Sequence, residues 1–538
     1  MADLLRRLVH RSDARLLDPS APPVPVTDAS PHAVVIGAGF GGLAAAIRLG
    51  ARGFRVTVLD RLDQAGGRAR VFRENGYTFD GGPTVVTAPF LFDELWQLAG
   101  RRRADDVDFV EVTPFYRIRY DDGTHFDYTG DEASMAREIS KFAPDDVDGY
   151  HRFFEKSKQI FGVGFEELGH VPFTRLWDMA RIAPAMALLE SQRTVYGLVS
   201  KYVKHPKIRQ VLSFHPLLVG GNPFNTTSIY ALIAYLERHW GVWYAMGGTG
   251  KIVEGLVSLI EGQGGRVRLQ EEVAEITLDR TERDGDRKPR ATGVRLASGE
   301  TIDADLVVSN ADIAWTYTHL LPASARKKWT DRRLDRARYS MSLFVWYFGT
   351  TRQYPDVKHH TILLGPRYKG LLDDIFERKV LADDFSLYLH RPTATDPSMA
   401  PDGCDAFYVL APVPHLDSGD VWDEAQTERY RAAVARYLSE TILPGLEDEI
   451  AASVTLTPKR FLGDYLSVKG AAFSLEPNLL QSAYFRPHNA SEDIEHLYFS
   501  GGGTHPGAGM PGVLSAARVL DTVVPDAAVF ARERGEVR

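Results

Sequence analysis

One stretch near the amino end, His32 to Asp60, constrains everything that follows it. HAVVIGAGFGGLAAAIRLGARGFRVTVLD reads as a strand, a glycine turn, a helix and a second strand that ends in an acid. The apolar run Ala33-Val34-Val35-Ile36 suits a buried parallel strand, and Gly37, Gly39 and Gly42 follow it at G-x-G-x-x-G spacing. Gly37 permits the tight turn, Gly39 lets the backbone approach a pyrophosphate, and Gly42 lets the helix pack closely on the strand. The helix that begins near Gly41 aims its free amides and positive dipole end at the phosphates. Leu43, Ile47 and Leu49 give it an apolar face, Gly53 ends it, and Val56, Val58 and Leu59 form the next strand. Asp60 lies eighteen residues beyond Gly42, where an acid accepts hydrogen bonds from a ribose hydroxyl. A glycine turn that only packs helix on strand is the alternative, and the acid in register argues against it. The stretch is read as a dinucleotide cradle.

The 538 residues, 44% of them hydrophobic, suffice for a large core in two to four domains. A net charge of -8 offers no basic field, which excludes nucleic acid as a partner. The single cysteine, Cys404, excludes a disulfide framework and Cys-rich metal sites; it reads as a small buried apolar residue in a reducing compartment, and no metal site is expected. No run of eighteen apolar residues exists, so no transmembrane helix is expected. The opening MADLLRRLVHRSDARLL lacks a signal-peptide core and contains Asp3, Asp13 and Asp18, which points to a cytoplasmic protein. A solvated tail and a short membrane-touching helix both fit that segment, and the Pro-rich Asp18–Pro31 reads as a linker, giving an extension over 1–31.

After Asp60, Gly66-Gly67-Arg68 places an arginine on a glycine loop, where it reaches phosphate oxygens through charge-assisted hydrogen bonds; a solvated surface arginine is the plainer alternative. A short strand is expected at Tyr77-Thr78-Phe79, and strands near Phe109–Tyr120 turn at Asp122-Gly123. Phe173–Gln210 interleaves Trp177, Met179, Ile182, Met186 and Leu188 with Arg175, Arg181, Arg193, Lys201 and Lys207, and Pro184 is expected to break it into short helices. A surface dipping into lipid headgroups and an ordinary amphipathic core helix share that stripe. MGGTG at 246–250 opens a further helix over Lys251–Glu261, and strands follow at 266–269, 273–278, 293–296 and 305–312. The sheet thus resumes after an insertion, so the nucleotide domain is discontinuous. Aromatic alternation from Tyr339 to Leu480 suits a large antiparallel sheet. Near the end, strand His496–Ser500 runs into GGGTHPGAGMPGV, where Gly507, Gly509 and Gly512 repeat the glycine spacing without a following strand and acid; this reads as a helix amino end facing a flavin.

Together these segments resemble the bacterial phytoene desaturase family of carotenoid biosynthesis, within the FAD-dependent amine oxidase-like superfamily. IGAGFGGLAAA, GGRA, GGPTVVT, SFHPLLVGGNPF, VVSNAD, SLFVWYFG, HHTI, YLHRP, FSLEPNLLQSAYFRPHN and GTHPGAGMPGV occur in one order from about Pro31 to Pro525. The resemblance implies non-covalent FAD, phytoene and partly desaturated carotenoids as substrates in an apolar tunnel, and attachment to a membrane lipid surface. It implies an α/β plus α+β architecture: a Rossmann-type FAD-binding domain over 32–95, 246–312 and 490–526, with an antiparallel-sheet substrate domain and a helical membrane-facing subdomain over 96–245 and 313–489. Carried over by position, Gly37, Gly39, Gly42, Asp60, Gly67 and Arg68 look like FAD-binding residues. Val273 resembles the residue that meets the adenine through its backbone, and Gly503, Met510 and Val513 border the flavin. Two departures stand out: Asp60 replaces a glutamate common at this position, and Ser500-Gly501-Gly502 varies the usual turn.

The implied reaction removes a hydride to the flavin N5 and a proton from adjacent carbons of the polyene. His505, and Asp148 with Arg152 in PDDVDGYHRF, are candidate proton-handling residues, with a turn hydrogen bond and a helix-surface ion pair as their plainer readings. Quinone or oxygen is the expected electron acceptor, since no second nucleotide fold is apparent. A later-pathway desaturase, a ketolase or an isomerase of the same superfamily competes with this reading, as does a non-catalytic isoprenoid-binding protein; the number of desaturation steps stays open.

Overall fold

The computed structural model describes residues 16–282 and 287–536. The strands of its two main sheets are, in chain order, β1 (His32–Ile36), β2 (Arg55–Leu59), β3 (Tyr116–Tyr120), β4 (His125–Tyr128), β5 (Arg266–Arg268), β6 (Leu306–Ser309), β7 (Ser342–Thr350), β8 (His360–Leu364), β9 (Leu387–His390), β10 (Asp405–Val413), β11 (Ile450–Leu456) and β12 (Leu497–Phe499). The helices that shape the interior are α1 (Phe40–Ala51), α2 (Pro89–Leu98), α3 (Val147–Phe161), α4 (Leu176–Leu188), α5 (Leu232–Trp240), α6 (Thr249–Gly262) and α7 (Met510–Val523).

The first sheet runs β12-β6-β1-β2-β5, every neighbouring pair parallel, so three distant stretches of chain build one surface. In β1, Ala33 and Val35 face a core shared with α1, α2, α6 and α7, while Val34 and Ile36 face a core shared with the three-stranded sheet 273–278, 291–296 and 301–303. Burial on both faces explains the unbroken apolar run. Because all five strands point the same way, the residues after four of them, Gly37, Asp60, Asn310 and Ser500, arrive at one edge.

The second sheet has the order β11-β7-β10-β9-β8-β3-β4. The expectation of an antiparallel sheet needs a correction: β8 pairs with β3 in parallel, because the β3–β4 hairpin from an earlier part of the chain docks on its edge. Strand β7 is buried along its whole length; Leu343, Val345 and Tyr347 face the interior cavity side, and Phe344, Trp346 and Phe348 face a helix at Glu424–Thr441. Two further expectations change. Helix α4 runs through Pro184, since the carbonyl that loses its donor belongs to exposed Ala180 and is open to solvent. Cys404 is half-buried just before β10 rather than inside the core. The linker folds back on the nucleotide domain through a Val24 amide bond to the Ala51 carbonyl (2.9 Å), while the reading of the opening segment falls on residues 1–15, outside the described residues.

The glycine turn before α6 is held by two carboxylates of the chain itself. Asp80 accepts from the Thr249 amide (2.8 Å) and Asp396 from the Gly247 amide (2.6 Å). Burial drives the Asp80 carboxyl up to about 7, against the pull of the amides and with a small push from Asp396. A folded-state pKa raised above the unfolded value contributes stability that is present below about pH 4 and lost as pH rises through 7. Asp80→Asn keeps the acceptor without the charge. It is expected to match wild type in urea unfolding at pH 4 and to be more stable at pH 8 by a few kcal/mol, since each tenfold gain in proton affinity on folding is worth about 1.4 kcal/mol.

Candidate active site

The carboxyl edge of the parallel sheet opens into a cavity of about 970 Å³, and the glycine turn lies on its wall. Gly37 adopts φ +94°, and a side chain at Gly42 would place its first carbon 2.0 Å from the Gly37 carbonyl, so strand, turn and helix close on each other only without one. Helix α1 starts at Gly39 with no side-chain cap and no acid in its first turn, and all twelve of its residues are buried. No side chain caps its first amides where Gly37, Gly39 and Gly41 line the cavity, which is the chemistry of an anion site. Helix α7 likewise starts at a glycine, Gly509, without a side-chain cap.

Asp60 lines the cavity, but part of its acceptor capacity is already in use: one oxygen accepts from the Ala38 amide (2.7 Å) and the other from the Leu62 amide (2.9 Å). Burial raises its pKa and those amides oppose the rise. The second glycine loop pairs with the first, the Gly66 amide donating to the Ala38 carbonyl (2.8 Å). It presents Arg68, enclosed by the protein yet open toward the cavity. Arg68 donates to the neutral Ser467 hydroxyl (2.6 Å) and stands over the Tyr465 ring, and among the described residues no carboxylate lies within ion-pair range. Burial lowers its pKa, with Asp312 pulling the other way. A guanidinium in that position is arranged for an anionic ligand. Val273, Gly503, Met510 and Val513 also line the cavity.

Away from this polar end the wall is apolar. It is built from Met179, Ile182 and Met186 of α4, Leu343 and Val345 of β7, Ile362 and Leu364 of β8, and Leu410 of β10. Glu237 borders the cavity with no exposed surface, accepting from the Tyr116 hydroxyl (2.8 Å) beside the His215 imidazole (3.2 Å).

The three proton-handling candidates separate. His505 lines the cavity; its Nε2–H donates to the Leu168 carbonyl (3.0 Å), its ring meets Phe173 edge-on, and burial pushes it down to about 4, so it is neutral at physiological pH. Asp148 and Arg152 are not brought to the cavity. They occupy the exposed face of α3, opposite the buried face of Tyr150, Phe153 and Ser157, and among the described residues they form no ion pair with each other. Sequence reasoning missed Asn310, whose side chain lies under the glycine turn, and it missed Ser467, Thr84 and Tyr388. It also missed a buried cluster of His359, His360 and His390, whose ring nitrogens lie within 4.8 Å of one another although their spacing along the chain matches no metal-ligand motif. HHTI and YLHRP carried the signal, but only the β8–β9 register, His360 opposite His390, joins them.

Comparison with known proteins agrees with this geometry. A family model described as flavin containing amine oxidoreductase matches residues 40–519. The neurosporene-forming phytoene desaturase of Rhodobacter capsulatus is 47% identical over 93% of this chain and 95% of its own length. The lycopene-forming phytoene desaturase of a Paracoccus species is 46% identical over 92% of this chain and 97% of its own. Among solved structures, cyclohexylamine oxidase from Brevibacterium oxydans superposes with a TM-score of 0.58 at 16% identity, covering 94% of this chain and 100% of that one, a likeness of fold.

Two substitutions test the cradle. Arg68→Met removes the charge and keeps the bulk, and loss of charge-assisted bonds worth about 1.5–3 kcal/mol predicts roughly 10- to 100-fold weaker flavin retention. Gly42→Val forces helix and turn apart and is expected to yield flavin-free protein. Visible absorbance of the purified proteins and titration with added FAD read both outcomes.

Proposed function

Because the chain belongs to the flavin containing amine oxidoreductase family and, within it, to the bacterial phytoene desaturases, we propose that it is an FAD-dependent desaturase that introduces double bonds into phytoene, ending at neurosporene or lycopene. The observation that carries this reading is the continuity of one cavity from an amide-lined, arginine-bearing end to a long apolar end. A dinucleotide suits the first and a hydrocarbon chain the second. The residues present fit FAD: Gly37, Gly39 and the open amino end of α1 would receive the pyrophosphate with Gly67 and Arg68, with Gly42 letting helix and turn close behind them, Asp60 would hold the ribose, Val273 the adenine, and Gly503, Met510 and Val513 would border the flavin. Bound FAD supplies the hydride acceptor. The protein's own part is to align the polyene, keep water from the carbon that becomes electron-poor, and take up a proton. Quinone or dioxygen is the terminal acceptor; the glycine turn at Gly507–Gly512 opens α7, and no strand follows it among the described residues.

The second element of the proposal is a lipid surface. Among the described residues no helix is long and apolar enough to cross a membrane. Yet α4 is apolar on two sides: Met179 and Ile182 line the cavity, while Trp177 (74% exposed) and Leu176 (59%) face outward. Leu479 and Leu480, close to the turn Ala483–Phe485 against which α4 packs, are also bare, and Leu479 itself lines the cavity. The exposed apolar groups thus lie beside residues that line the cavity, on the side where a lipid-soluble substrate would enter. Arg193 and Lys201 are paired with Glu190, and Lys207 with Asp122, which among the described residues leaves Arg175 and Arg181 beside the exposed apolar groups without an ion pair, so apolar insertion leads in docking and these two arginines assist it.

Anaerobic protein mixed with phytoene-bearing liposomes is expected to bleach its flavin while a red-shifted polyene forms, and quinone, not NAD, is expected to restore the flavin. Bound flavin with neither change would pass the lead to the later-pathway desaturase or the ketolase. In flotation assays wild type is expected to rise with neutral phosphatidylcholine vesicles with little dependence on salt, and a Trp177→Glu/Leu480→Glu variant to stay at the bottom; equal flotation of both refutes docking through this surface.

A further inference from the structure

Desaturation leaves a proton behind, and the most obvious acceptors do not serve. Asp148 and Arg152 lie outside the cavity, and Glu237, although it borders the cavity, has no exposed surface and its carboxylate is held by the Tyr116 hydroxyl and the His215 imidazole. His505 keeps Nδ1 as an acceptor while its Nε2–H donates to Leu168, but burial and the buried Arg486 guanidinium oppose a positive charge on its ring, and among the described residues no hydroxyl is hydrogen-bonded to it.

Another hydroxyl is better placed. Tyr388 on β9 lines the cavity and is only partly buried, in a wall otherwise dominated by apolar side chains. A chain of hydrogen bonds sets its orientation. Tyr408 donates to the Gly82 carbonyl (3.1 Å), so the Thr84 hydroxyl, 2.7 Å away, donates to Tyr408. The Tyr388 oxygen is 3.3 Å from Thr84 but only 2.7 Å from His360 Nδ1, which makes the imidazole the better acceptor of its proton. The ring's own proton then sits on His360 Nε2, which is buried and has no hydrogen-bond partner among the described residues. Gly82 packs beside the Arg68 carbonyl, which puts this chain where the polar and apolar parts of the cavity meet.

Resting on the desaturase reading, we propose that Tyr388 receives the substrate proton and passes its own hydroxyl proton to His360. The step balances. The two electrons of the oxidation leave with the hydride to the flavin, and the adjacent carbon–hydrogen bond then breaks. Its electron pair becomes the second bond of the new double bond, and its proton joins the Tyr388 oxygen as the O–H proton crosses to Nδ1. The positive charge moves from the polyene to the imidazole without a new charge being created in the interior, so the desolvation that holds His360 neutral at rest does not forbid the transfer. A carbocation is also a far stronger acid than any imidazolium, so a positioned neutral acceptor suffices. The neighbouring His390 and His359 Nε2 atoms lie 3.1 Å apart, but among the described residues no hydrogen bond joins them to His360, so the relay ends at His360. A divalent ion is the competing occupant of three clustered imidazoles. The cluster itself contains no carboxylate, and at His359 burial together with Arg391 outweighs the opposing pull of Asp396.

The test uses the full-length flavin-loaded protein with Tyr388→Phe, which deletes one oxygen, and His360→Gln, whose amide oxygen still accepts the Tyr388 hydrogen bond but cannot take up the proton. Both variants are expected to desaturate about 10²-fold more slowly and to lose the solvent deuterium isotope effect of wild type, with flavin content and carotenoid binding by tryptophan quenching unchanged. In substrate-free protein, nitrogen-15 histidine spectra are expected to show His360 Nδ1 unprotonated and shifted by Tyr388→Phe. A protonated Nδ1, a stoichiometric bound metal, rescue of the rate by His360→Gln, or a Tyr388→Phe variant that keeps rate and isotope effect each overturn the relay while wild-type desaturation stands. Wild type that leaves phytoene unchanged overturns the substrate reading instead.

Discussion

The buried, uncapped amino end of α1 is the constraint on which the rest of the structure depends. A helix start with no side-chain partner for its amides is costly inside a protein, and here the whole helix is inside. The surrounding architecture leaves that end facing a cavity rather than closing it. Five parallel strands bring Gly37, Asp60, Asn310 and Ser500 to one edge, and Asp60 holds the turn through the Ala38 amide. The contrast with α6 is informative. Its glycine turn looks similar in sequence, but Asp80 and Asp396 satisfy its amides from within the chain.

The two sheets are mechanically linked through the segment Gly81–Thr84. Tyr347 of β7 donates to the Gly81 carbonyl and Tyr408 of β10 to the Gly82 carbonyl, while the same glycines pack against the carbonyls of Arg68 and Arg70. A side chain at Gly81 would sit 2.4 Å from the Arg70 carbonyl. The sheet that walls the apolar chamber therefore buttresses the loop that carries Arg68, and a displaced substrate wall would move the anion site with it. Helix α4 has the complementary place on the outside, where one surface belongs to the cavity and another to the surroundings.

Much of the polar end was legible in the order of residues alone. The β1-α1-β2 unit, the Arg68 loop, β6 and β12 all lie where strand periodicity and glycine placement put them, because each is specified by residues close together in the chain. The misses share the opposite character. Pro184 inside α4 is tolerated because its freed carbonyl belongs to an exposed residue, which depends on how the helix docks. The parallel β8–β3 pair joins strands about 240 residues apart, a pairing that neither strand's own pattern encodes. Asp148 and Arg152 stand at chemically suggestive positions, yet the apolar side of α3 turns them outward.

What the sequence by itself determined is the cradle, the parallel nucleotide sheet and the relatedness of the chain, because turn glycines, a terminal acid and buried strand runs act over short distances. What only the tertiary structure decided is which polar groups meet inside the cavity. His360 and His390 become neighbours through the β8–β9 register, Tyr388 reaches Thr84 across more than 300 residues, and Ser467 reaches Arg68 across nearly 400. A hydrogen bond needs its partners within about 3 Å, and a spacing of that kind between distant residues is set by the packing of whole sheets, which local composition does not record.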